Sequence, residues 1–392
     1  MAYIMHIKTK EDKITNEYDV SEIVHDIEFT TSMIGQAGKL TFTLEKDPND
    51  ILSISVGSLV QFWDCDIQGK TPIFQGNVFK IGTDSTESYK VIAYDQLRYL
   101  QNPIMKTFGD DKTLTDIFEL LCDEFELKYS KTYNWLTAGS KLTIEGNTFL
   151  ETSVFDVLQY YINRANNEYV STILQFNGKR FPFQRFYIKD NFGTLELREV
   201  AYDFMYDEKT NQPKTEFLII GNESLLMNYQ YETDIDSDTF NEIVFTYNEK
   251  NQKQTSKTNE QVQSKTIVAT IQAGTPISGT KTHLDGTTIG KDTIPKWGKL
   301  RKMIEVNTIE NKALLGNYYK DVLELSNEPK RSMKLSAIGY NGINAGSSFI
   351  LKLDKLKINY PVYVLSATHY YNADKHTMDL NVCANSEMEV FE

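Results

Sequence analysis

Apolar and polar residues alternate through much of the first hundred positions, and this pattern predicts β-strands. In the stretch KLTFTLEKD, Leu40, Phe42 and Leu44 fall on one side of an extended chain and threonines fall on the other, which is the period of a half-buried strand. Residues 57–82 then predict two paired strands with Gly69 in the turn between them. Strands at this short spacing are typical of a β-barrel or a β-sandwich.

The stretch SYKVIAYDQLRYLQNP changes its pattern halfway along. A strand-like run ends at Tyr94, and Asp95 is followed by helix-forming residues with Leu97 and Leu100 at helical spacing. Pro103 excludes a long continuation of this turn. Asp95 could be a catalytic acid at the end of a strand, or it could cap the helical turn. Capping requires no partner residue, so we interpret the stretch as a junction between domains.

Two amphipathic helices and a hairpin are predicted next. The helices carry apolar stripes at helical spacing, namely Leu114, Ile117, Phe118, Leu121 and Phe125 in the first and Val154, Val157, Leu158, Tyr161 and Ala165 in the second. Thr113 and Ser153 are the expected N-caps, and Asp116 would complete a capping box with Thr113. The hairpin has Asp190 and Gly193 in its turn.

The remaining chain returns to strand-like patterns but is interrupted by a polar segment. Residues 216–234 and 240–250 predict strands, whereas residues 250–292 are polar and rich in Gly and Thr, which predicts a long mobile loop or an exposed hairpin. WGKLRKMIEV predicts a further strand, and residues 307–327 predict a helix with Gly316 in its middle. A final hairpin carries YNAD at its tip. The whole pattern predicts an α+β protein that is mainly β.

Composition and charge narrow the class of protein. The 392 residues include 40% apolar and 24% charged residues, which suits a folded multidomain protein rather than a disordered chain. The net charge of −13 and the absence of a Lys/Arg block argue against a surface for nucleic acid or for anionic membranes. Three widely spaced cysteines, Cys65, Cys122 and Cys383, predict reduced and mostly buried thiols rather than a disulfide framework or a zinc cluster.

No targeting or membrane segment is predicted. The start MAYIMHIKTKEDK lacks the apolar run of a signal peptide. No stretch approaches the roughly 18 consecutive apolar residues of a membrane span. We therefore expect a chain that is made and kept in the cytoplasm, unless it leaves as part of something larger, and that is not inserted into a membrane.

Catalytic and metal-binding patterns give no candidate above background. The sequence has no G-x-S-x-G, HExxH, P-loop or G-x-G-x-x-G motif. Cys122 lies on or beside the apolar stripe of a predicted helix, which is typical of a buried structural thiol. Of the five histidines, His369 and His376 are the two that lie close in sequence. They could be a metal pair held across a hairpin, or ordinary strand residues on either side of a turn.

Acidic residues 232–238 and a glycine-rich stretch are the last candidates. The acidic run could supply glycosidase carboxylates or a calcium loop, but no Gly follows it and no Glu closes a twelve-residue loop. A solvated turn between strands is the simpler interpretation. Residues 279–291 contain glycines without the Walker spacing. We therefore predict no catalytic residue, no cofactor-binding residue, no cofactor and no metal site.

Six motifs in order along the chain resemble one known family. VIAYDQLRYL resembles the AYD.LRYL element of XkdQ/YqbQ-like proteins, the baseplate hub family of PBSX-like prophages and related contractile tails. GSLVQFW with IFQGNVFKI is similar to the family's strand pair, and IKDNFGTLELRE is similar to its central hairpin. WGKLRKMIEV, MKLSAIGYNGINAGSSFIL and VYVLSATHYYNADKHTMDL follow in the family's order. The resemblance therefore covers nearly the whole chain.

The resemblance implies a structural protein related to the trimeric central hub of contractile tails and to the hub part of type VI secretion spikes. It implies two tube-like β-barrel domains per chain, so that a homotrimer forms a ring of six barrels between a six-fold tail tube and a three-fold spike. On this basis we assign residues 1–103 to the first barrel, 104–215 to an inserted α+β domain, 216–250 with 327–392 to the second barrel, and 251–326 to a loop-rich segment with a strand and a helix.

The implied partners are the other chains of the homotrimer, a tail tube protein, a spike protein, baseplate wedge proteins and a tape-measure protein. The implied location is the baseplate of a virion or of a tail-like bacteriocin. Specific nucleic-acid binding is not expected, because an acidic channel would let DNA or tape-measure protein pass without tight binding. Two alternatives stay open: a tail-associated peptidoglycan hydrolase, and a siphophage-type tail-tip protein that binds a receptor. The family supplies no catalytic residues, and no wall-degrading or LysM extension is expected.

Overall fold

The structure divides into two compact units. This computed structural model describes residues 2–11, 14–33, 36–46, 52–66, 69–83, 88–135, 147–168, 174–176, 179–181, 186–207, 210–236, 239–250, 264–274, 292–306, 323, 326–327, 329–372 and 375–383. The first unit comprises Met1–Gln230 with Met333–Glu392, and the second comprises Tyr231–Ser332. The four-part division expected from the family resemblance stays a prediction.

The described elements are mainly strands. In chain order they are β1 (Ala2–Glu11), β2 (Ile14–Asp19), β3 (Val24–Ser32), β4 (Lys39–Leu44), β5 (Leu59–Asp66), β6 (Gly69–Thr83), β7 (Tyr89–Tyr94), β8 (Pro103–Thr107), β9 (Thr148–Ser153), β10 (Leu174–Phe176), β11 (Lys179–Phe181), β12 (Phe186–Asp190), β13 (Leu195–Glu199), β14 (Ile219–Gly221), β15 (Leu226–Asp234), β16 (Glu242–Lys250), β17 (Ser264–Gln272), β18 (Arg301–Val306), β19 (Lys330–Ile338), β20 (Ser348–Leu353), β21 (Ile358–Asn372) and β22 (Lys375–Cys383). The helices are α1 (Leu114–Glu124), α2 (Val154–Glu168), α3 (Val200–Met205) and α4 (Ile294–Trp297), with 3-10 turns at Gln96–Gln101 and Asp354–Leu356. None of the described helices is long and apolar enough to cross a membrane.

The first unit is built around one large sheet, which contains thirteen strands among the described residues. Its order is β15-β19-β22-β21-β3-β4-β7-β6-β5-β1-β2, with β20 paired to β21 and β14 paired to β20. The early and late strands meet where β3 pairs antiparallel with β21, from Ser32 opposite Ser366 to Ile27 opposite Tyr371. Residues near the two ends of the sequence therefore lie side by side in one hydrogen-bonded sheet.

Period-two alternation explains how these strands form a core. Leu40, Phe42 and Leu44 of β4 are fully buried, as the alternation predicted. Phe62 of β5 is also fully buried, and its ring meets the ring of Tyr371 edge-on at 5.0 Å. Fully burying each side chain of this size stabilises the fold by about 1.5–3 kcal/mol. The late hairpin is thus anchored in the core of the early strands.

Helices α1 and α2 begin where the capping residues predicted. Thr113 and Asp116 form a reciprocal capping box at α1. At α2 the Ser153 hydroxyl accepts the backbone N–H of Asp156 at 3.0 Å. The predicted stripes face a shared core with the β12–β13 hairpin. The described residues also form two-stranded ribbons β8–β9, β10–β11 and β12–β13.

The second unit contains a three-stranded sheet in the order β17-β16-β18. β16 pairs antiparallel with β17 and parallel with β18. Asn241, which precedes β16 and is fully buried, joins the sheet to the segment around α4. Its Nδ2 donates to Thr293 Oγ1 at 3.2 Å and to the Gly298 carbonyl at 2.8 Å, and its Oδ1 accepts the Leu300 N–H at 2.9 Å. One amide side chain therefore fixes the entry into this sheet.

The predicted mainly β, α+β class is confirmed, with local corrections. The polar segment 250–292 includes strand β17, so the hairpin alternative is correct there and the continuous loop is wrong. WGKLRKMIEV begins with the end of α4, because Pro295 suits the first turn of a helix, and the strand starts only at Arg301. β8 and β9 are strands that the pattern did not predict. The helix predicted at 307–327 lies almost entirely outside the described residues.

Candidate functional site

Asp95 lies where β7 ends and the 3-10 turn Gln96–Gln101 begins. Its Oδ1 accepts the backbone N–H of Leu97 at 3.0 Å, and its Oδ2 accepts the backbone N–H of Gly38 at 2.9 Å. The side chain is buried, and a Cβ on Gly38 would lie 2.2 Å from its Oδ2. The predicted cap is confirmed. The same carboxyl group also ties the turn to the segment that leads into β4.

Asp190 stands beside the same turn, at the end of β12. Its Oδ2 accepts the backbone N–H of Gln96 at 3.2 Å, and its Oδ1 accepts the backbone N–H of Gly193 at 2.6 Å. Gly193 has a φ of 80°, a conformation that glycine adopts without strain. Because Gln96 directly follows Asp95, the two carboxyl groups flank one turn. Together they join the early strands to the β12–β13 hairpin.

Burial controls the protonation of this carboxyl pair. It raises the pKa of Asp95 well above the ordinary value, and the neighbouring charge of Asp190 raises it further. Burial also raises the pKa of Asp190, although the N–H donors of Gly193 and Gln96 act in the opposite direction. Two carboxylates in one buried site repel each other when both are ionised. The pair therefore retains a proton at pH values where exposed carboxyl groups are charged.

A cavity of about 310 Å³ adjoins the carboxyl pair. In its wall, Arg198 and Asp203 form a two-point ion pair, with Nη2–Oδ1 at 2.5 Å and Nε–Oδ2 at 3.1 Å. The Tyr187 hydroxyl donates to Asp203 Oδ2 at 2.8 Å, and Lys214 Nζ donates to the Asp203 carbonyl at 2.7 Å. The charge of Arg198 is thus balanced within the wall. These contacts hold β12, β13 and α3 together.

A second polar chain links β5 to the late hairpin. The Tyr371 hydroxyl donates to Asn341 Oδ1 at 2.8 Å, and Asn341 Nδ2 donates to Asp64 Oδ2. Asn341 belongs to residues 339–347, which connect β19 to β20 and are called the 339–347 loop below. Burial raises the pKa of Tyr371, and the charge of Asp64 raises it further, so the phenol remains a donor. The loop is thereby fixed to both sets of strands.

His369 and His376 face each other across the β21–β22 hairpin. Nδ1 of His369 lies 2.9 Å from Nε2 of His376, and Nε2 of His369 lies 2.7 Å from the Ile343 carbonyl oxygen. Both side chains are buried. Among the described residues, no group of three or more His, Cys, Asp and Glu side chains is arranged to hold a metal ion. The geometry favours two strand residues bonded to each other over a metal pair.

The cysteines occupy ordinary structural positions. Cys122 is fully buried in α1, and burial followed by the charges of Asp123 and Glu119 raises the pKa of its thiol to about 12. Such a thiol is a poor nucleophile at neutral pH. Cys65 and Cys383 are half-buried.

The other sequence candidates give no cluster with the carboxyl pair. In the acidic run, the N–H of Asp236 donates to Asp234 Oδ1 at 3.1 Å just after β15, which is the geometry of a turn. His6 and His25 each face carboxylates of neighbouring strand or loop residues. His283 and Asp238, the last acidic residue of the run, lie outside the described residues.

Sequence reasoning found Asp95 but missed its neighbours. Asp190 was assigned only to a hairpin turn, and Asn341 and Tyr371 were not singled out. An Asp near a turn glycine has a local role in any hairpin, so the sequence carries no signal that Asp190 meets a turn 94 positions earlier.

Comparisons with known proteins identify relatives of this fold. The sequence profile described as YQBQ-like matches residues 27–269 and 280–383. No curated protein sequence matches this chain. The 43 kDa tail protein of prophage MuSo2 from Shewanella oneidensis has a TM-score of 0.57 at 10% identity, covering 98% of this chain and 99% of that one. The tail protein from Neisseria meningitidis MC58 has a TM-score of 0.56 at 12% identity, with 98% and 97% covered.

A third solved structure is that of a protein complex. A chain of the lidded Francisella PdpA–VgrG complex has a TM-score of 0.51 at 11% identity, covering 98% of this chain and 53% of that one. At sequence identities this low, the structural similarity shows a shared fold. The profile match covers most of the chain, including the stretch around Asp95 and both halves of the large sheet. The chain belongs to the YQBQ-like family.

Proposed function

We propose that this protein is a structural component of a phage-type tail, where it forms the hub of the baseplate and has no catalytic activity. The observation that carries this proposal is the fold shared with two tail proteins, one of them from a prophage, over 98% of the chain. The likeness to a chain of a PdpA–VgrG complex supports a place beside a spike. Fold likeness by itself does not assign chemistry, so the site contributes the remaining support.

The polar side chains of the site are engaged in joining segments. Each oxygen of Asp95 and Asp190 accepts a backbone N–H from another part of the first unit or from the adjoining turn. Arg198 is paired with Asp203. Asn341 bridges Tyr371 to Asp64. Such a network rigidifies a fold, and rigidity is what a tail component under mechanical load requires.

We further propose a homotrimeric ring that adapts a six-fold tail tube to a three-fold spike, with tube, spike, wedge and tape-measure proteins as partners. The support for this arrangement is the family resemblance of the ordered motifs. The net charge of −13 suits a channel through which a polyanion passes without binding. The particle is a phage or a DNA-free tail-like bacteriocin.

The test is the position and copy number of this chain in assembled tails. Cryo-EM of particles that carry a tag on this chain is expected to show three copies at the junction of tube and spike. Native mass spectrometry of the purified full chain is expected to show a species of three times the monomer mass. Six copies, or single copies, within an assembled particle would contradict the hub.

One observation favours a second candidate function. Asp95 and Asp190 are two buried carboxyl groups with raised pKa values beside a cavity, and peptidoglycan hydrolases that cleave glycosidic bonds use a pair of carboxyl groups. Zymography on bacterial cell walls separates the two functions. Clearing by the wild type that is lost in Asp190→Asn, with folding retained, would establish the hydrolase. No clearing by either protein is expected for a structural hub.

A further inference from the structure

The His369–His376 pair has one neutral hydrogen-bonding arrangement. The Ile343 carbonyl can only accept, so Nε2 of His369 carries a hydrogen and donates at 2.7 Å. A neutral His369 then offers Nδ1 as an acceptor, and Nε2 of His376 donates to it at 2.9 Å. The chain of donors therefore runs from β22 through β21 into the 339–347 loop. The two nitrogens that face each other, Nδ1 of His369 and Nε2 of His376, are therefore both used in the hydrogen bond between the rings.

An added proton disturbs this arrangement wherever it binds. On His369 it would occupy Nδ1, so that two N–H groups would face each other across 2.9 Å. On His376 it would occupy Nδ1 and place a charge on a buried ring against which the Gly339 backbone packs, since a Cβ there would lie 2.1 Å from Cγ and 2.4 Å from Nδ1. A charge on His369 is thus opposed by geometry as well as by burial, and a charge on His376 is opposed by burial.

The surroundings offer little compensation for a positive charge. From β3, Phe29 stacks on His369 with ring centroids 6.4 Å apart. From β21, Tyr371 stacks on His376 at 4.2 Å. The carboxylate connected to this group is Asp64 of β5, and it reaches the rings only through Asn341 and Tyr371. The other facing groups are the uncharged backbone of the 339–347 loop.

The pKa values of the two histidines are shifted in the direction that this buried arrangement requires. Burial, together with the neighbouring His376, lowers the pKa of His369 to about 4. Burial lowers the pKa of His376 to about 4. An unfolded histidine has a pKa of about 6.5. Protons therefore bind the two rings more tightly when the rings are exposed than when they are packed. Lowering the pH below neutral consequently favours the state in which the rings are exposed.

We propose that His369 and His376 form an acid-sensitive latch that holds the 339–347 loop onto the large sheet and releases it when the pair takes up protons. The loop is held at further points by Gly339 N–H to the His376 carbonyl at 2.8 Å and by Ala345 N–H to Thr31 Oγ1 at 3.0 Å. Loss of the latch would free Asn341 from Asp64 and Tyr371. Acid thereby loosens the contact between the early strands and the late hairpin.

Amide hydrogen exchange of the full chain tests the latch. After correction for intrinsic exchange, protection in a peptide covering the 339–347 loop is expected to fall by about 100-fold from pH 7.5 to pH 4.5, because one histidine shifted from about 6.5 to about 4 contributes nearly that factor. Strand β4 serves as the internal control and is expected to keep its protection. An unchanged loop at pH 4.5 would overturn the proposal.

Variants assign the effect to the pair. The double substitution His369→Gln and His376→Gln retains uncharged donors and acceptors and cannot titrate, so the loop is expected to lose its pH dependence. His6→Gln removes a histidine that faces Glu17 in the β1–β2 ribbon, and is expected to leave the dependence unchanged. The same acid effect in the double variant as in the wild type would contradict the latch.

Histidine NMR of the wild type covers the case in which the double variant does not fold. Two of the five imidazoles are expected to remain neutral down to about pH 5, while loop protection already falls below about pH 6.5, because protons bind the released rings first. Titration of all five histidines near pH 6.5 would overturn the proposal without any variant.

Discussion

The carboxyl group of Asp95 accepts the backbone N–H of Gly38 at 2.9 Å while it caps the turn that follows β7. The two residues are 57 positions apart. One side chain therefore ends a strand, starts a helical turn and holds the segment before β4. The family motif around this residue marks a structural junction.

Substitution of Asp95 by Ala tests whether this carboxyl group stabilises the fold by more than a helix cap alone. The change is expected to lower the free energy of unfolding by about 2–3 kcal/mol, because the lost cap and the unpaired N–H of Gly38 add. Urea denaturation measures it. Asp116→Ala is the matched control, since Asp116 belongs to an exposed capping box at α1, and a loss of about 1 kcal/mol is expected there. Equal losses would show that Asp95 is only a cap.

Substitution of Gly38 by Ala tests the close approach from the other side. A Cβ would lie 2.2 Å from Asp95 Oδ2, so the change is expected to cost about 1–3 kcal/mol. In the Asp95→Ala background the cost is expected to be smaller, because the clashing oxygen is absent. A double-mutant cycle by urea denaturation measures this coupling. Additive losses would contradict direct contact as the cause.

The carboxyl pair predicts a loss of stability as the pH rises. The folded-state pKa values of Asp95 and Asp190 lie above their unfolded values of about 4. The folded state therefore binds more protons, and the stabilising effect of the shared proton is complete at low pH and disappears as the pH passes the raised pKa. Asp190→Asn removes one titrating group and its repulsion. Between pH 5 and pH 8.5, the unfolding midpoint of this variant is expected to fall less than that of the wild type. Parallel curves of midpoint against pH for the two proteins would contradict the prediction.

Asn241 predicts a local effect in the second unit. Asn241→Ala removes a fully buried amide that bonds the Leu300 N–H and the Gly298 carbonyl, both at part-buried contacts, and is expected to cost about 1–3 kcal/mol. Hydrogen exchange of β16 and β18 measures the loss. Lys296→Ala, at an exposed position of α4, is the control and is expected to leave exchange unchanged. Similar exchange in both variants would show that the amide network contributes little.

Local patterns were sufficient for the elements with strong periodicity. The alternation of Leu40, Phe42 and Leu44 gave β4 its buried face, and Thr113 with Asp116 marked the start of α1. Such features depend on neighbours within a few residues, so the sequence carries them directly. The ordered motifs likewise indicated the family that the profile match then showed. β17 was hidden because its polar flanks and mixed composition obscure its period.

The sequence by itself determined the strongly alternating strands such as β4, the starts of α1 and α2, the mainly β class and the cap at Asp95. The tertiary structure alone decided that Ser32 pairs with Ser366, that Asp190 joins the turn after Asp95, and that His369 and His376 share a hydrogen bond. The physical reason is range: a cap or an alternating strand is formed by adjacent residues, whereas a buried polar pair depends on which distant strands meet. AYDQLRYL therefore predicted a junction, and the fold decided what it joins.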